Sequence, residues 1–498
     1  MKIRALQLGS VDFSLKYEIF PETQWNYEPE LNAGDSEYDV AVIDRGLTDS
    51  EARILARIVR AGCLFLLDGV TITPAMEFMM KSRRGSMMER SGLERFLKDD
   101  IRDYFTIPYG EKFDVHSFSP SPDFSGRVMW HGFTEIVLEG SFGDNMHQAA
   151  FWRGNIPVEK CQAIDFWLEY SKEGDVEIEL QLIQFVSGSV SSIQQMWTFS
   201  EDDMRDIVTI ENDRGDGPVF ASINARGEGT LRITSLHDRY SRRGKGSFLP
   251  GSIRITTGSR EEIFTYTDPG DLKPPICVYF SGYKTMEGFE GYRMMRAMGC
   301  PFMLISDSRL EGGAFYIGSP EYEKLLKDSI TDFMDELGFS NDQVIFSGLS
   351  MGTYGALYYG TMILPSYIIV GKPLASLGNM AKAERINRPG GFPTSLDLMW
   401  KQYHSLDGGA VEKLNMRFWE KFDATDWSDR TFCVAYMIED DYDSDAYSEL
   451  LSHVKGSGAK IIGKGIHGRH NDDTSGIVTW FLRQYNRVLC DGYGREKK

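Results

Sequence analysis

Val344-Ile-Phe-Ser-Gly348-Leu-Ser350-Met-Gly352, running into Thr353-Tyr-Gly-Ala-Leu-Tyr-Tyr359, is the stretch that decides the fold. An apolar run of strand type meets a Gly-x-Ser-x-Gly turn and then a helix-prone segment. A serine at a sharp strand-to-helix turn presents its hydroxyl above the sheet, and the flanking glycines let strand and helix approach closely. The helix N-terminus just behind it also stabilises developing negative charge. A bare Gly-x-Ser-x-Gly arises often by chance, as a glycine-rich structural turn. Here the strand–turn–helix setting makes Ser350 a candidate nucleophile.

Outward from this turn, strand and helix alternate. Ile276–Phe280, Phe302–Ile305, Tyr367–Val370, Phe432–Met437 and Lys460–Ile462 read as buried strands. Ser319-Pro320 offers an N-cap and a proline at the first helical position. Tyr322, Leu325, Leu326, Ile330, Phe333, Met334 and Leu337 share one face behind it, and Gly338 sits at the C-cap. The expectation is an α/β, doubly wound, α/β-hydrolase-like domain over 271–498. Its insertion at about 373–430 has the place of a cap and carries Trp400, Trp419, Trp427 and Arg388-Pro-Gly-Gly-Phe392. Tryptophan faces suit sugar rings, although ordinary packing of the cap is the simpler reading.

The preceding chain divides in two. Over 1–110 an α/β region is expected: Tyr38–Ile43 and Cys63–Leu67 read as strands around a helix beginning near Thr48 or Ser50. No Gly-x-Gly-x-x-Gly marks its turn, so dinucleotide binding lacks support. Over 111–270 the period falls to two, as where Val176, Ile178, Leu180 and Leu182 alternate with Glu177, Glu179 and Gln181. Recurrent turn residues point to a β-sandwich-like domain, ending at the joint Asp268-Pro-Gly-Asp-Leu-Lys-Pro-Pro275. Arg239, Arg242, Arg243 and Lys245 form a local basic cluster, read as a solvated loop or, alternatively, a docking or glycan contact.

Composition narrows the function. The chain has 498 residues, roughly three domains at ~150 residues each. With 54 Lys+Arg against 73 Asp+Glu its net charge is −19, which argues against nucleic-acid binding and against a polybasic membrane contact. Six scattered cysteines without a C-x-x-C pair suit a reducing compartment and give no thiolate metal site, so no metal is expected. The opening Met1-Lys-Ile-Arg-Ala-Leu has no apolar signal region, and no run is long enough for a membrane span; a cytoplasmic protein is expected.

A nucleophilic serine needs a base and an orienting carboxylate, in hydrolase order Ser, acid, His, each after a late strand. Phe432–Met437 runs into Ile438-Glu439-Asp440-Asp441-Tyr442-Asp443, and Lys460–Ile462 is followed by His467-Gly-Arg-His470-Asn-Asp472. Catalytic groups collect at the carboxyl ends of parallel strands. His470, further out on its loop, is the first choice of base, with His467 as the alternative. Glu439, nearest the strand end, is the first choice of acid, with Asp440 and Asp441 as alternatives and Asp443 read as a turn residue. Two backbone donors would complete an oxyanion hole: Met351, after the nucleophile, and Gly282, in the Ser281-Gly-Tyr283 loop.

In its Gly348–Gly352 turn, its Ile438–Asp443 acidic stretch, its Gly468-Arg-His470-Asn-Asp472 and its order of parts, the chain resembles a family. That family is the second accessory secretory protein of the Gram-positive accessory Sec export system. The resemblance spans essentially the whole chain and implies a catalytic serine, glutamate and histidine at Ser350, Glu439 and His470. It implies O-acetylation of N-acetylglucosamine on serine-rich-repeat glycoprotein adhesins before export. It also implies a part in that export beside companion accessory proteins and a SecA-type motor, in the cytoplasm or at the inner face of the membrane. No cofactor is expected, and no coenzyme A signature identifies the acetyl donor. A plain serine esterase or deacetylase, and a non-enzymatic export adaptor with a vestigial hydrolase fold, are the alternatives.

Overall fold

Short apolar runs separated by amphipathic segments give the first of three sheets in the computed structural model, which describes residues 2–31, 36–113, 115–189 and 191–496. Here β1 (Ile3–Leu8), β2 (Thr23–Glu28), β3 (Val40–Ile43), β4 (Leu64–Leu67) and β5 (Ser86–Met88) lie parallel in the order β2-β1-β3-β4-β5. Helices α1 (Asp49–Ile58), α2 (Pro74–Ser82) and α3 (Leu93–Lys98) accompany them. A reciprocal capping box between Thr48 and Glu51 starts α1, and Thr73 with Pro74 starts α2.

The second sheet is antiparallel. It holds β6 (Gly110–Phe113), β7 (Phe118–Pro120), β8 (Arg127–His131), β9 (Glu135–Trp152), β10 (Ile156–Val158), β11 (Ala163–Phe185), β12 (Ile193–Ser200), β13 (Val208–Glu211) and β14 (Gly217–Tyr240). β11 and β14 pair along nearly their whole length. Near mid-length Gly174 and Gly229 face each other at positive φ, where a Cβ would strike the opposite backbone. The strands can therefore turn over there, and Phe166 and Leu168 from one half share a core with Leu180 and Leu182 from the other. The sandwich-like character thus comes from one sheet folded upon itself.

The third sheet follows the order β15-β16-β18-β17-β19-β20-β21-β22. Its strands are β15 (Ile253–Thr256), β16 (Glu262–Asp268), β17 (Ile276–Phe280), β18 (Phe302–Ser306), β19 (Val344–Leu349), β20 (Tyr367–Gly371), β21 (Thr431–Met437) and β22 (Lys460–Ile466). From β18 to β22 all neighbours are parallel. β15 and β16 differ from the sequence reading: lying in the stretch assigned to the β-rich region, they add an antiparallel hairpin to the edge of this sheet. The Pro274-Pro275 joint therefore lies within the third unit, between β16 and β17, rather than at its start.

Helices α4 (Tyr292–Met298), α5 (Pro320–Leu337), α6 (Met351–Ile363), α7 (Leu377–Ile386), α8 (Thr394–Tyr403), α9 (Gly408–Asp423), α10 (Ala446–Val454) and α11 (Thr474–Arg487) complete it. The central strands are buried on both faces, so alternate residues feed two cores. Val278, Phe280 and Phe346 belong to one, and Cys277, Tyr279 and Ile345 to the other. Helices α7, α8 and α9 occupy the expected cap insertion between β20 and β21. Two of its three tryptophans are packing residues: Trp419 is buried and stacks on His453 at 4.0 Å, while Trp427 packs against Phe422 and Phe432.

The basic cluster is not a solvated loop. Arg242 is buried, donates to the carbonyls of Phe105 and Ile107, and lies 4.1 Å from the Phe105 ring. Arg243 joins Glu211 of β13 to Asp103, and Arg239 is buried against Glu262 and Glu287 of the third unit. Of the four, only Lys245 is exposed. These cations fasten the sheets to one another, a role that local sequence does not reveal.

Candidate active site

Backbone geometry at the end of β19 makes the site possible. Ser350 adopts φ 52° and ψ −122°, a conformation that costs an L-residue of order 1–3 kcal/mol and is held by its surroundings. Its amide donates to the Gly371 carbonyl at 2.9 Å, tying the turn to β20. A Cβ on Gly348 would lie 2.3 Å from the Gly352 carbonyl oxygen, and one on Gly352 would lie 2.1 Å from that of Phe280. Both glycines are needed for strand and helix to meet.

The serine hydroxyl lies 2.8 Å from His470 Nε2, and His470 Nδ1 lies 2.9 Å from Asp440 Oδ2. The His470 and Asp440 side chains are only 1% and 5% exposed, so their bond is shielded from water. The other oxygen of Asp440 accepts from the amides of Tyr442 (2.8 Å) and Asp443 (3.3 Å), which fixes the carboxylate. The Tyr442 ring stacks on the imidazole at 4.2 Å and 6°, and Asp441 accepts from the His470 amide at 3.0 Å. The imidazole is thus held by both its backbone and its ring.

Glu439, the first choice from sequence, is elsewhere. Its carboxylate accepts from the Gly468 amide at 2.6 Å and meets His467 Nδ1 at 3.0 Å. That amide first and His467 next hold its carboxyl below the usual range. The two side chains are 52% and 86% exposed, an outer pair on the rim of the same loop. Beyond Met437 the chain leaves the sheet in a tight turn, which aims Glu439 outward and Asp440 inward. Asp443 also points inward. It accepts from the amides of Ala375 and Ser376, both at 2.8 Å, and burial raises its carboxyl to about 6.

Met351 heads α6, where no preceding turn supplies an acceptor for its amide. The other expected donor is engaged: the Gly282 amide donates to Glu290 Oε2 at 2.7 Å, while the Glu290 amide donates to Ser281 Oγ at 3.1 Å. The next amide of that loop, that of Tyr283, has no acceptor among the described residues. Lys372, at positive φ just after β20, belongs to no sequence motif. Burial lowers its pKa, opposed by Asp440 and Glu290, so it is a partly desolvated ammonium beside the triad acid. Its only sequence signal is its place at a parallel strand's carboxyl end.

A lid crosses the mouth. Phe392 stacks on Tyr442 (5.5 Å) and meets Tyr283 edge-on (5.4 Å). Arg388 sits 3.9 Å from the centre of the Tyr442 ring and pairs with Asp441 at 3.0 Å. Glu384 of α7 holds the turn between them through the amides of Gly390 and Phe392. A nucleophile, a shielded base–acid pair, two amides and an aromatic lid can together support transfer of an acyl group through a covalent serine ester.

Comparison with known proteins adds descent to this geometry. A family model described as the accessory Sec system GspB-transporter matches residues 3–495. An accessory Sec system protein, second of its set, from Streptococcus gordonii is 35% identical over 508 residues, covering 100% of this chain and 99% of the relative. Its Staphylococcus aureus counterpart is 39% identical over 391 residues, covering 78% and 75%. A chain in the solved Glycosylation Associate Protein (Gap123) complex from Streptococcus agalactiae superposes with a TM-score of 0.88 at 36% identity, with 99% of each chain covered. Among the described residues, no helix is long and apolar enough to cross a membrane. With a model matched almost end to end and a full-length relative above a third identical, the chain belongs to the accessory Sec system GspB-transporter family.

Proposed function

We propose that this protein is a serine-dependent O-acetyltransferase whose acceptor is a sugar hydroxyl on a serine-rich-repeat glycoprotein. The observation that carries this reading is the continuous relay from Ser350 Oγ through His470 to buried Asp440 at the strand-to-helix turn. Ser350 Oγ attacks the carbonyl carbon of an activated acetyl ester or thioester as its proton passes to His470 Nε2. Asp440 stabilises the imidazolium, and the Met351 and Tyr283 amides bind the oxyanion. Collapse expels the leaving group with that proton. The sugar hydroxyl then attacks the acetyl-serine, giving its proton to His470, and the acetyl ester forms on the sugar as Ser350 is released.

Transfer prevails over hydrolysis when water is excluded and the acceptor is held. The Arg388–Phe392 lid and the Tyr442 stack support the first requirement. For the second, a cavity of about 210 Å³ lined by Phe133, Ser235, Thr285, Glu311 and Gly312 adjoins Tyr283, whose ring packs on Gly312. Apolar walls from Phe113, Phe133 and Leu310 beside the polar Ser235, Thr285 and Glu311 suit a pyranose.

A second role runs beside catalysis. The Streptococcus agalactiae relative was solved within a Gap123 complex, and we assign to this chain the same kind of assembly with companion accessory secretion proteins, at the cytoplasmic side of the export machinery. Mass spectrometry of adhesin glycans made beside wild-type or Ser350→Ala protein tests the catalytic reading. Acetylated sugars are expected only with wild type, and equal acetylation in both would refute it.

A further inference from the structure

The loop that carries Tyr283 is anchored outside the hydrolase-like unit. Residue 287 lies four positions beyond Tyr283, and its amide donates to the Gly110 carbonyl of β6 at 2.7 Å. The Glu287 carboxylate, 1% exposed, meets His237 Nδ1 and Arg239 Nε of β14, both at 2.6 Å. Burial alone would push this carboxyl up, but Arg239, His237 and Lys112 outweigh it and hold it far below the usual range. His237 Nε2 turns to Glu169 of β11 (3.1 Å), and Arg239 forks onto Glu262 of β16 (2.9 and 2.7 Å).

Ligand atoms of Glu169, His237 and Glu262 lie within 4.8 Å of one another. Both imidazole nitrogens already face carboxylates, and two guanidiniums already bond Glu262, so the cluster reads as an ion-pair joint rather than a cation site. From β6 of the same sheet, Lys112 donates to the carbonyls of Ser308 and Leu310. The loop they begin packs Gly312 on Tyr283 and Gly313 on Met351. Both loops beside the expected oxyanion amides are therefore fastened to the antiparallel sheet.

We infer that Glu287 is a positioning residue of the acyl-transfer site, fixing the Tyr283 loop to β6 and β14 so that the antiparallel sheet is a working part of the catalytic centre. The inference rests on the reading of Ser350 as nucleophile. Glu290 fixes the loop's internal shape through Gly282, and Glu287 fixes its place. A group that binds an oxyanion must be placed to within about 0.5 Å, and a 1 Å error costs about a hundredfold in rate.

The test uses full-length protein, a fluorophosphonate probe that phosphonylates an activated serine with loss of fluoride, and 4-nitrophenyl acetate as chromogenic donor. Glu287→Gln keeps the shape and removes the charge. Gly110→Val displaces the tether sterically, since a Cβ there would lie 3.1 Å from Glu287 Cβ. Both are expected to slow labelling and lower kcat by about ten- to a hundredfold while KM stays within about twofold. Glu211→Gln, which loosens Arg243 at another joint, should label at the wild-type rate. The inference is overturned if both loop variants react like wild type, or if their losses merely follow the fraction unfolded in a parallel melt. Wild-type labelling that survives Ser350→Ala overturns the nucleophile assignment itself, a distinguishable failure that takes the inference with it.

Discussion

Three consecutive acids follow β21, and a single residue's rotation decides among them. Asp440 is buried on His470, Asp441 serves the His470 amide and Arg388, and Glu439 faces water. Asp440→Asn is expected to lower turnover of 4-nitrophenyl acetate by about 10³–10⁴, as for an imidazole left in the wrong tautomer. Glu439→Gln should stay within about threefold, because surface pairs contribute little. The opposite ranking would move the acid to Glu439. Asp443 provides a separate check on the burial of this turn. Its carboxyl titrates near 6, so between the ordinary aspartate value and about 6 the folded protein keeps a proton that the unfolded chain has lost. Stability from this group is full below the unfolded pKa and is lost as pH rises through about 6. Asp443→Asn, whose amide oxygen can still accept from Ala375 and Ser376, should therefore melt progressively higher than wild type as pH rises from 4 to 7. A Tm difference independent of pH would show that the group is not desolvated in this way.

At the scale of elements, the strands and helices around Ser350 follow from hydrophobic period and caps, and Ser319-Pro320 and Gly338 bound α5 as their chemistry requires. Loop geometry is less legible. Which amide of Ser281-Gly-Tyr283 is available depends on Glu290, on the far side of the loop, and a GxSxG pattern carries no information about it. Lys372 is illegible for a similar reason: a single lysine after a strand has no periodic partner to mark it. The lid is a further element whose role follows from contacts rather than pattern. Arg388→Met removes its pairing with Asp441 and its cover over Tyr442. We expect the ratio of glycan transfer to acetate release to fall by about tenfold, while labelling of Ser350 by fluorophosphonate stays nearly unchanged. An unchanged ratio would mean that the lid does not exclude water.

Across the whole molecule, three sheets are joined by buried cations: Arg83 to Asp268 at 2.8 Å, Arg242 to the Phe105 carbonyl, and Arg239 to Glu262 and Glu287. Read locally, Arg239 to Lys245 is a charged loop; apart from Glu211 of β13, its partners lie on other units, so single-sequence reasoning cannot bury it. The same separation hid β15 and β16, whose alternating pattern is the same whichever sheet they join. If this joined body is both enzyme and export component, Ser350→Ala should still assemble with the companion accessory proteins at wild-type stoichiometry by gel filtration. Loss of assembly would tie the two roles together. The most direct test of the central claim is to mix the protein with an activated acetyl ester, quench in acid, and sequence the Ser350 peptide by mass spectrometry. An acetyl group on Ser350 Oγ, absent in His470→Ala, is the predicted result; a peptide unmodified at Ser350 while acetyl is being turned over would contradict the account.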